Sequence, residues 1–382
     1  MAETLAALPL PDGIRSRFIK GINGLRMHVL EAGHETPGRP VVVLLHGFPE
    51  LAFSWRKVMP ALAAAGFHVL APDQRGYGRT SGSDVTYDDD LAPFRLMNLV
   101  RDVVGLVRAF GLPSVHAVVG HDFGASVAVW CTIARPDIFR SMVIMSAPFG
   151  GGPRVPFDTA AEGGSEPVAD PVHAALAQLD RPRKHYQWYY STRPAADEMT
   201  HPPQGVHSFM RAYYHHKSAD WAANKPHPLA AWSAPELARM PTYYIMDLDE
   251  TMPETVAHEM PGEAEIAANT WLTKAEMSIY AQEFARTGFQ ASLNWYRCRT
   301  TGKYNGELEV FDGRTVDVPS CFIAGRSDWG VYQKAGEFEK MQASAFTDMR
   351  GCHLIEGAGH WVQQEQPQET NRLLLAFLEE TR

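Results

Sequence analysis

Apolar residues fall into short unbroken runs that alternate with stretches of helical period. Residues 40–45 (Pro-Val-Val-Val-Leu-Leu) form one such run, as expected of a parallel strand covered on both faces. Residues 67–72, 117–120 and 141–145 read as further strands. Helical spacing is expected from Ser54 to about Ala65 and over 96–110, where Leu96, Leu99, Val103, Leu106, Val107 and Phe110 share one face. A third helix is expected from Ala125 to Ala134. Residues 25–30 alternate and predict an early strand at a sheet edge. Such alternation of strand and helix means a mostly parallel, doubly wound α/β sheet.

The texture changes after Pro148. Gly150-Gly151-Gly152 opens a Pro- and Gly-rich loop to about Pro171. From there to about Trp295 the chain is helical in pattern, rich in Tyr, Trp, His and Pro, with little that reads as strand. This predicts a helical cap over 150–296, inserted into a core formed by 1–149 and 297–382. The sheet resumes at 318–325, a last strand ends near Ile355, and a helix from about Pro367 to Glu380 closes the chain.

The third run stops at Gly120 and is followed by His121-Asp122-Phe123-Gly124. Gly-x-nucleophile-x-Gly between a strand and a helix is the spacing of a nucleophile elbow, in which the glycines permit a sharp, strained turn. A carboxylate occupies the central position where most such elbows hold serine. At neutral pH it is already charged and can displace a leaving group from an sp3 carbon without a base. Epoxides and alkyl halides are the natural electrophiles. A histidine is then free to activate water against the resulting ester.

Two further strand ends carry matching chemistry. Residues 318–325 lead to Asp328, and the last strand leads to His360; open α/β sheets place their sites at such ends. Nucleophile, acid, histidine is also the chain order of α/β-hydrolase triads. Asp328 is expected to orient the His360 ring and stabilise its imidazolium. The backbone N–H groups of Phe48 and Phe123 are the expected oxyanion donors. His46, beside Phe48, is read as a structural histidine bonding loop backbone.

Composition narrows the class. The chain carries a net charge of −9 with no basic run, which argues against nucleic acid or an anionic membrane surface as partner. No apolar run approaches membrane-span length, and Pro9 and Pro11 interrupt a start that lacks signal-peptide character. Cys131, Cys298, Cys321 and Cys352 lie far apart without metal-ligand spacing, as expected of free thiols in a cytoplasmic protein. Residues 73–79 lack the Gly-Lys-Ser/Thr end of a phosphate loop, and 84–90 lack a calcium-loop frame. His201, His207 and His215-His216 have no carboxylate or cysteine at ligand spacing, and Asp247-Leu248-Asp249-Glu250 reads as a cap loop. No metal or cofactor is expected.

The chain resembles the soluble epoxide hydrolases of the α/β-hydrolase superfamily. The resemblance rests on His46-Gly47-Phe48-Pro49-Glu50 with Ser54-Trp55-Arg56, Gly120–Gly124, Gly288-Phe289 with Leu293-Asn294-Trp295-Tyr296-Arg297, and Gly357-Ala358-Gly359-His360-Trp361. It implies that two cap tyrosines hold the epoxide oxygen. Tyr296 matches one; Tyr186 is assigned to the other, with Tyr189 and Tyr190 as alternatives. Phe123 stands where the family usually has Trp, which preserves the backbone donor. The segment from Pro194 to Glu283 departs from the family pattern and leaves substrate shape open. Trp188, Trp295, Trp329 and Trp361 are expected, with Phe48 and Phe123, to make the substrate cavity apolar. The expected substrates are an apolar epoxide and water, in a monomer or homodimer. A haloalkane dehalogenase would share the Asp elbow but needs side-chain N–H donors for halide, which Phe48 and Phe123 do not offer. A non-catalytic binding protein commonly loses a triad member, and here all three are present.

Overall fold

The structure is a computed structural model and describes residues 5–155 and 170–382. Eight strands form one sheet: β1 (Ile14–Ile22), β2 (Leu25–Ala32), β3 (Val41–Leu45), β4 (His68–Pro72), β5 (Ala117–His121), β6 (Met142–Met145), β9 (Ser320–Gly325) and β10 (Met349–Ile355). Their order is β1-β2-β4-β3-β5-β6-β9-β10. The pairs β1–β2 and β2–β4 are antiparallel and the rest parallel.

Burial on both faces explains the continuous apolar runs. Val41, Val43 and Leu45 of β3 pack with Leu99, Val103 and Val127 on one side. Val42 and Leu44 pack with Leu62, Leu374 and Phe377 on the other. The helices supplying these contacts, Leu96–Ala109, Phe123–Ala134, Met59–Ala64 and Pro367–Glu380, therefore sandwich the sheet.

Two expectations need correction. Residues 25–30 belong to β2, which is not an edge strand; β1 pairs outside it. Arg15, Arg17 and Lys20 give β1 the polar pattern of an exposed edge and hide it from an apolar search. The two strands join through Asn23-Gly24, both at positive φ (47° and 84°), the requirement of a tight hairpin turn. The helix expected from Ser54 to Ala65 is broken into a 3-10 turn, Ala52–Trp55, and the helix Met59–Ala64. Pro60, which has no N–H to donate, is tolerated only because it sits in the first turn of the second piece.

Above the C-terminal ends of the parallel strands the chain is mostly helical, with Gly205–Lys217, Lys274–Thr287 and Gln290–Thr301 the longest helices. It also holds a short antiparallel ladder, β7 (Arg183–His185) with β8 (Ile245–Asp247), which the sequence pattern does not announce. Three residues per strand are too few for a visible period. Most of the Gly- and Pro-rich loop expected up to Pro171 lies outside the described residues.

Candidate active site

β5 ends at His121 and the helix Phe123–Ala134 starts two residues later, so Asp122 makes the whole turn. It does so at φ 53° and ψ −122°, a strained conformation for a non-glycine residue. The turn is tight on both sides. A Cβ on Gly120 would run into the Gly124 carbonyl, and one on Gly124 into the carbonyls of Leu45 and His46.

The strand ends bring the three expected residues together. His360 Nε2 lies 3.4 Å from Asp122 Oδ2, and His360 Nδ1 lies 3.0 Å from Asp328 Oδ1. Asp328 Oδ1 also accepts the Gly330 N–H at 2.7 Å, which fixes the acid. The Phe48 N–H donates to Asp122 Oδ1 at 2.9 Å. Phe123 is the first helical residue, so its N–H has no intrahelical acceptor. Burial works against charge on Asp122, but the hydrogen bond to His360 and the nearby Lys217 ammonium hold its carboxyl well below the usual range.

Tyr186 and Tyr296 stand over this point with ring centroids 6.0 Å apart. Tyr186 opens the helix Tyr186–Tyr190, capped by the His185 side chain; Tyr296 lies in Gln290–Thr301. The Tyr186 hydroxyl accepts from Gln187 Nε2 at 2.9 Å and donates to Gln333 Oε1 at 3.4 Å. Among the described residues the Tyr296 hydroxyl makes no side-chain hydrogen bond, and its ring packs on Phe48 and Phe123. Burial, and secondarily the charge of Asp122, raise both phenols above their ordinary value. Tyr189 donates to Glu198 and Tyr190 to the Tyr213 hydroxyl, so both alternative donors are already engaged.

A cavity of about 360 Å³ reaches Phe123 and Trp295; its lining combines Phe94, Leu99, Trp130 and Phe149 with Arg299, Glu307, Lys334 and Glu337, and includes neither Asp122 nor the two tyrosines. Trp295 is the only one of the four singled-out tryptophans among its lining residues. Trp188 packs on His173, Trp329 on His227, and Trp361 stacks on Tyr214 at 4.1 Å. His46 bonds the Gly47 carbonyl and accepts from the Gln74 N–H, a loop-holding role.

The pattern of the sequence hides several polar partners of this site. His121 Nδ1 meets Glu50 at 2.6 Å and its Nε2 meets the His360 carbonyl at 2.7 Å. Glu50 in turn accepts from the side-chain amides of Gln363 and Gln364. Burial opposes charge on both members of the pair, yet each partner offsets it, so Glu50 is lowered and His121 raised. Lys217 is buried with its ammonium 5.0 to 5.7 Å from the rings of Tyr213, Tyr243, Tyr244 and Trp361. Glu50 and His121 lie inside the quoted motifs, which give neither of them a role; Lys217 carries no signal, because its neighbours converge only in three dimensions.

The model of the alpha/beta hydrolase fold family matches residues 40–367. The chain is 33% identical to epoxide hydrolase B of Mycobacterium tuberculosis, over 94% of this chain and 97% of that protein. Among solved structures, an epoxide hydrolase from an endophytic Streptomyces matches with a TM-score of 0.74 and 28% identity, covering 97% of this chain and 96% of the other. Epoxide hydrolase A of Mycobacterium thermoresistibile matches with a TM-score of 0.71 and 31% identity, covering 96% and 98%. The triad positions at three strand ends, the two facing tyrosines and these likenesses agree: the chain belongs to the epoxide hydrolases of the α/β-hydrolase fold.

Proposed function

We propose that this protein hydrolyses an apolar epoxide to a vicinal diol through an ester of Asp122. The observation that carries the reading is the carboxylate of Asp122, one oxygen bonded to the Phe48 N–H and the other facing His360, beneath two buried tyrosines. Oδ2 attacks one ring carbon while the carbon–oxygen bond of the epoxide breaks. An alkoxide leaves poorly, so Tyr186 and Tyr296 hydrogen-bond and protonate the oxygen as it forms. His360, oriented by Asp328, then takes a proton from water as that water attacks the Asp122 carbonyl carbon. The N–H groups of Phe48 and Phe123 hold the oxyanion. The ester carbon–oxygen bond then breaks, and the leaving oxygen takes the proton from His360. The proton of the regenerated Asp122 carboxyl is returned to the tyrosinate as the diol leaves.

Residues 150–296 serve as the cap and 1–149 with 297–382 as the core, which puts Tyr186 and Tyr296 on the cap side of the cleft and the triad below. The apolar rings at the reacting point, Phe48 and Phe123 with the Tyr296 ring packed on both, support an aryl or alkyl epoxide. Halide release is disfavoured because Phe48 and Phe123 offer no side-chain N–H and the indole N–H groups of Trp295 and Trp361 donate to the carbonyls of Arg75 and Tyr214; the Trp329 indole N–H has no acceptor among the described residues. No helix among the described residues is long and apolar enough to cross a membrane, and all four cysteines are free, which fits a cytoplasmic location.

The test is diol formation from styrene oxide by the wild type and by Asp122→Asn, with halide release from 1-haloalkanes measured in parallel. Diol from the wild type, with loss in the variant, is expected. Halide release without diol would overturn the reading.

A further inference from the structure

Glu365 ends the short helix Val362–Glu365 that follows the histidine loop, and it is buried. Each of its oxygens is spent on backbone N–H groups. Oε1 accepts from Trp361 at 2.9 Å; Oε2 accepts from Gly359 at 2.9 Å and from Ala219 at 2.8 Å. Gly359 and Trp361 flank His360. Ala219 lies just past the helix Gly205–Lys217, on the segment that crosses above the loop. The crossing segment returns one bond, since the Lys217 carbonyl accepts the His360 N–H at 2.9 Å.

Three consecutive amides, 359 to 361, are thus fixed by one carboxylate and one carbonyl. The crossing is close: a Cβ on Gly359 would meet backbone atoms of Lys217, Ser218 and Ala219. Asn224 holds the upper strand by donating to the carbonyls of His216 and Ser218 at 2.9 and 2.7 Å. Among the described residues Glu365 has no cationic partner within ion-pair distance, so bonding these amides is its whole role. Burial pushes its carboxyl up to about 8, and the N–H donors pull back toward the charged, acceptor-only form.

We infer that Glu365 is a positioning residue that locks the His360 loop to the crossing segment 217–219, and that it governs hydrolysis of the ester rather than its formation. The asymmetry follows from where each reacting group is held. Asp122 is fixed by β5, the elbow glycines and the Phe48 N–H, none of which is hydrogen-bonded to Glu365 among the described residues. The His360 ring is held by Asp328 and its carbonyl by His121 and Ser146, but the amides on both sides of it are held by Glu365. A shift of the imidazole relative to the Asp122 carbonyl costs water activation while leaving the carboxylate free to attack.

This inference rests on the reading that Asp122 forms an ester and His360 activates water. The test is rapid-quench mass spectrometry of the whole protein reacting with styrene oxide, for wild type, Glu365→Gln and Glu365→Asp. Gln keeps the size but turns an N–H donor toward a backbone N–H; Asp keeps the carboxyl but shortens the reach. The expected result is an ester-formation rate within about twofold of wild type and a hydrolysis rate lowered about 10- to 100-fold in Glu365→Gln, so that ester accumulates. The Asp variant should fall between. A parallel loss of both rates, or no change in hydrolysis, would mean a merely structural role and overturn the inference. No ester on the wild type would overturn the underlying reading as well, and is told apart because it appears before any variant is made.

Discussion

His360 Nε2 faces Asp122 Oδ2 across 3.4 Å, while the opposite ring nitrogen is tied to Asp328 at 3.0 Å. The imidazole therefore sits between two carboxylates of different standing. Asp328 is buried and anchored by Gly330; Asp122 has one oxygen free to react. Once Asp122 becomes an ester its charge is gone, and a water entering between the two groups has one base to turn to.

Replacing that base should separate the two half-reactions. In His360→Gln the ester should still form but persist, with turnover lowered about 10²- to 10⁴-fold, the usual range for a lost general base. The check is an intact-protein mass raised by the mass of the substrate. A variant that turns over slowly with no adduct would remove His360 from this role.

The tyrosines should affect the other half. Tyr296→Phe and Tyr186→Phe are expected to slow ester formation, each by about 10²-fold or more, because an unassisted alkoxide leaves poorly. Hydrolysis of ester already formed should be nearly unchanged. Tyr190→Phe, which loses only its bond to Tyr213, should leave ester formation near wild type. Stopped-flow tryptophan fluorescence under single-turnover conditions reads these rates, and an equal effect of all three variants would sink the assignment.

The same groups set a pH signature. The carboxyl of Asp122 is lowered, so its ionised form persists to more acid pH than an ordinary aspartate. Burial raises Tyr186 and Tyr296, so their protonated form persists to more alkaline pH than an ordinary tyrosine. Between about pH 5 and pH 9 neither nucleophile nor donor should change state. The ester-formation rate should be flat across that window, with any pH dependence of turnover confined to hydrolysis, which needs the neutral imidazole. A tyrosine-linked fall in ester formation at pH 8 would contradict this.

How much of this is legible in the sequence depends on how local the signal is. The parallel strands are continuous apolar runs because both faces are buried, and the triad residues each follow a strand end, so order and spacing suffice to pick out Asp122, Asp328 and His360. β1 escapes because an exposed edge strand mixes charge into its alternation. Glu50, His121, Lys217 and Glu365 escape for another reason. Their partners are backbone amides, glutamines and ring faces up to hundreds of residues away, and a single sequence records none of those meetings. Tyr186 is preferred over Tyr189 in the sequence only through the resemblance; the structure adds that Tyr189 donates to Glu198.

The elbow should tolerate no added carbon. In Gly124→Ala the new Cβ would meet the carbonyls of Leu45 and His46, so strand β3 or the helix must shift. A loss of at least about 2 kcal/mol of stability is expected, in the range of overpacked cores. Thermal unfolding of purified variant and wild type reads it, and an unchanged Tm would show the turn to be looser than drawn here.

The most direct measurement is a single turnover in ¹⁸O-labelled water, with enzyme in excess over styrene oxide, followed by mass spectrometry of the diol and of the peptide holding Asp122. Attack by the carboxylate, then by water on the ester carbonyl, leaves the first diol unlabelled and puts ¹⁸O into Asp122. Labelled diol with an unlabelled Asp122 would mean that water opens the ring directly, and would contradict Asp122 as the nucleophile.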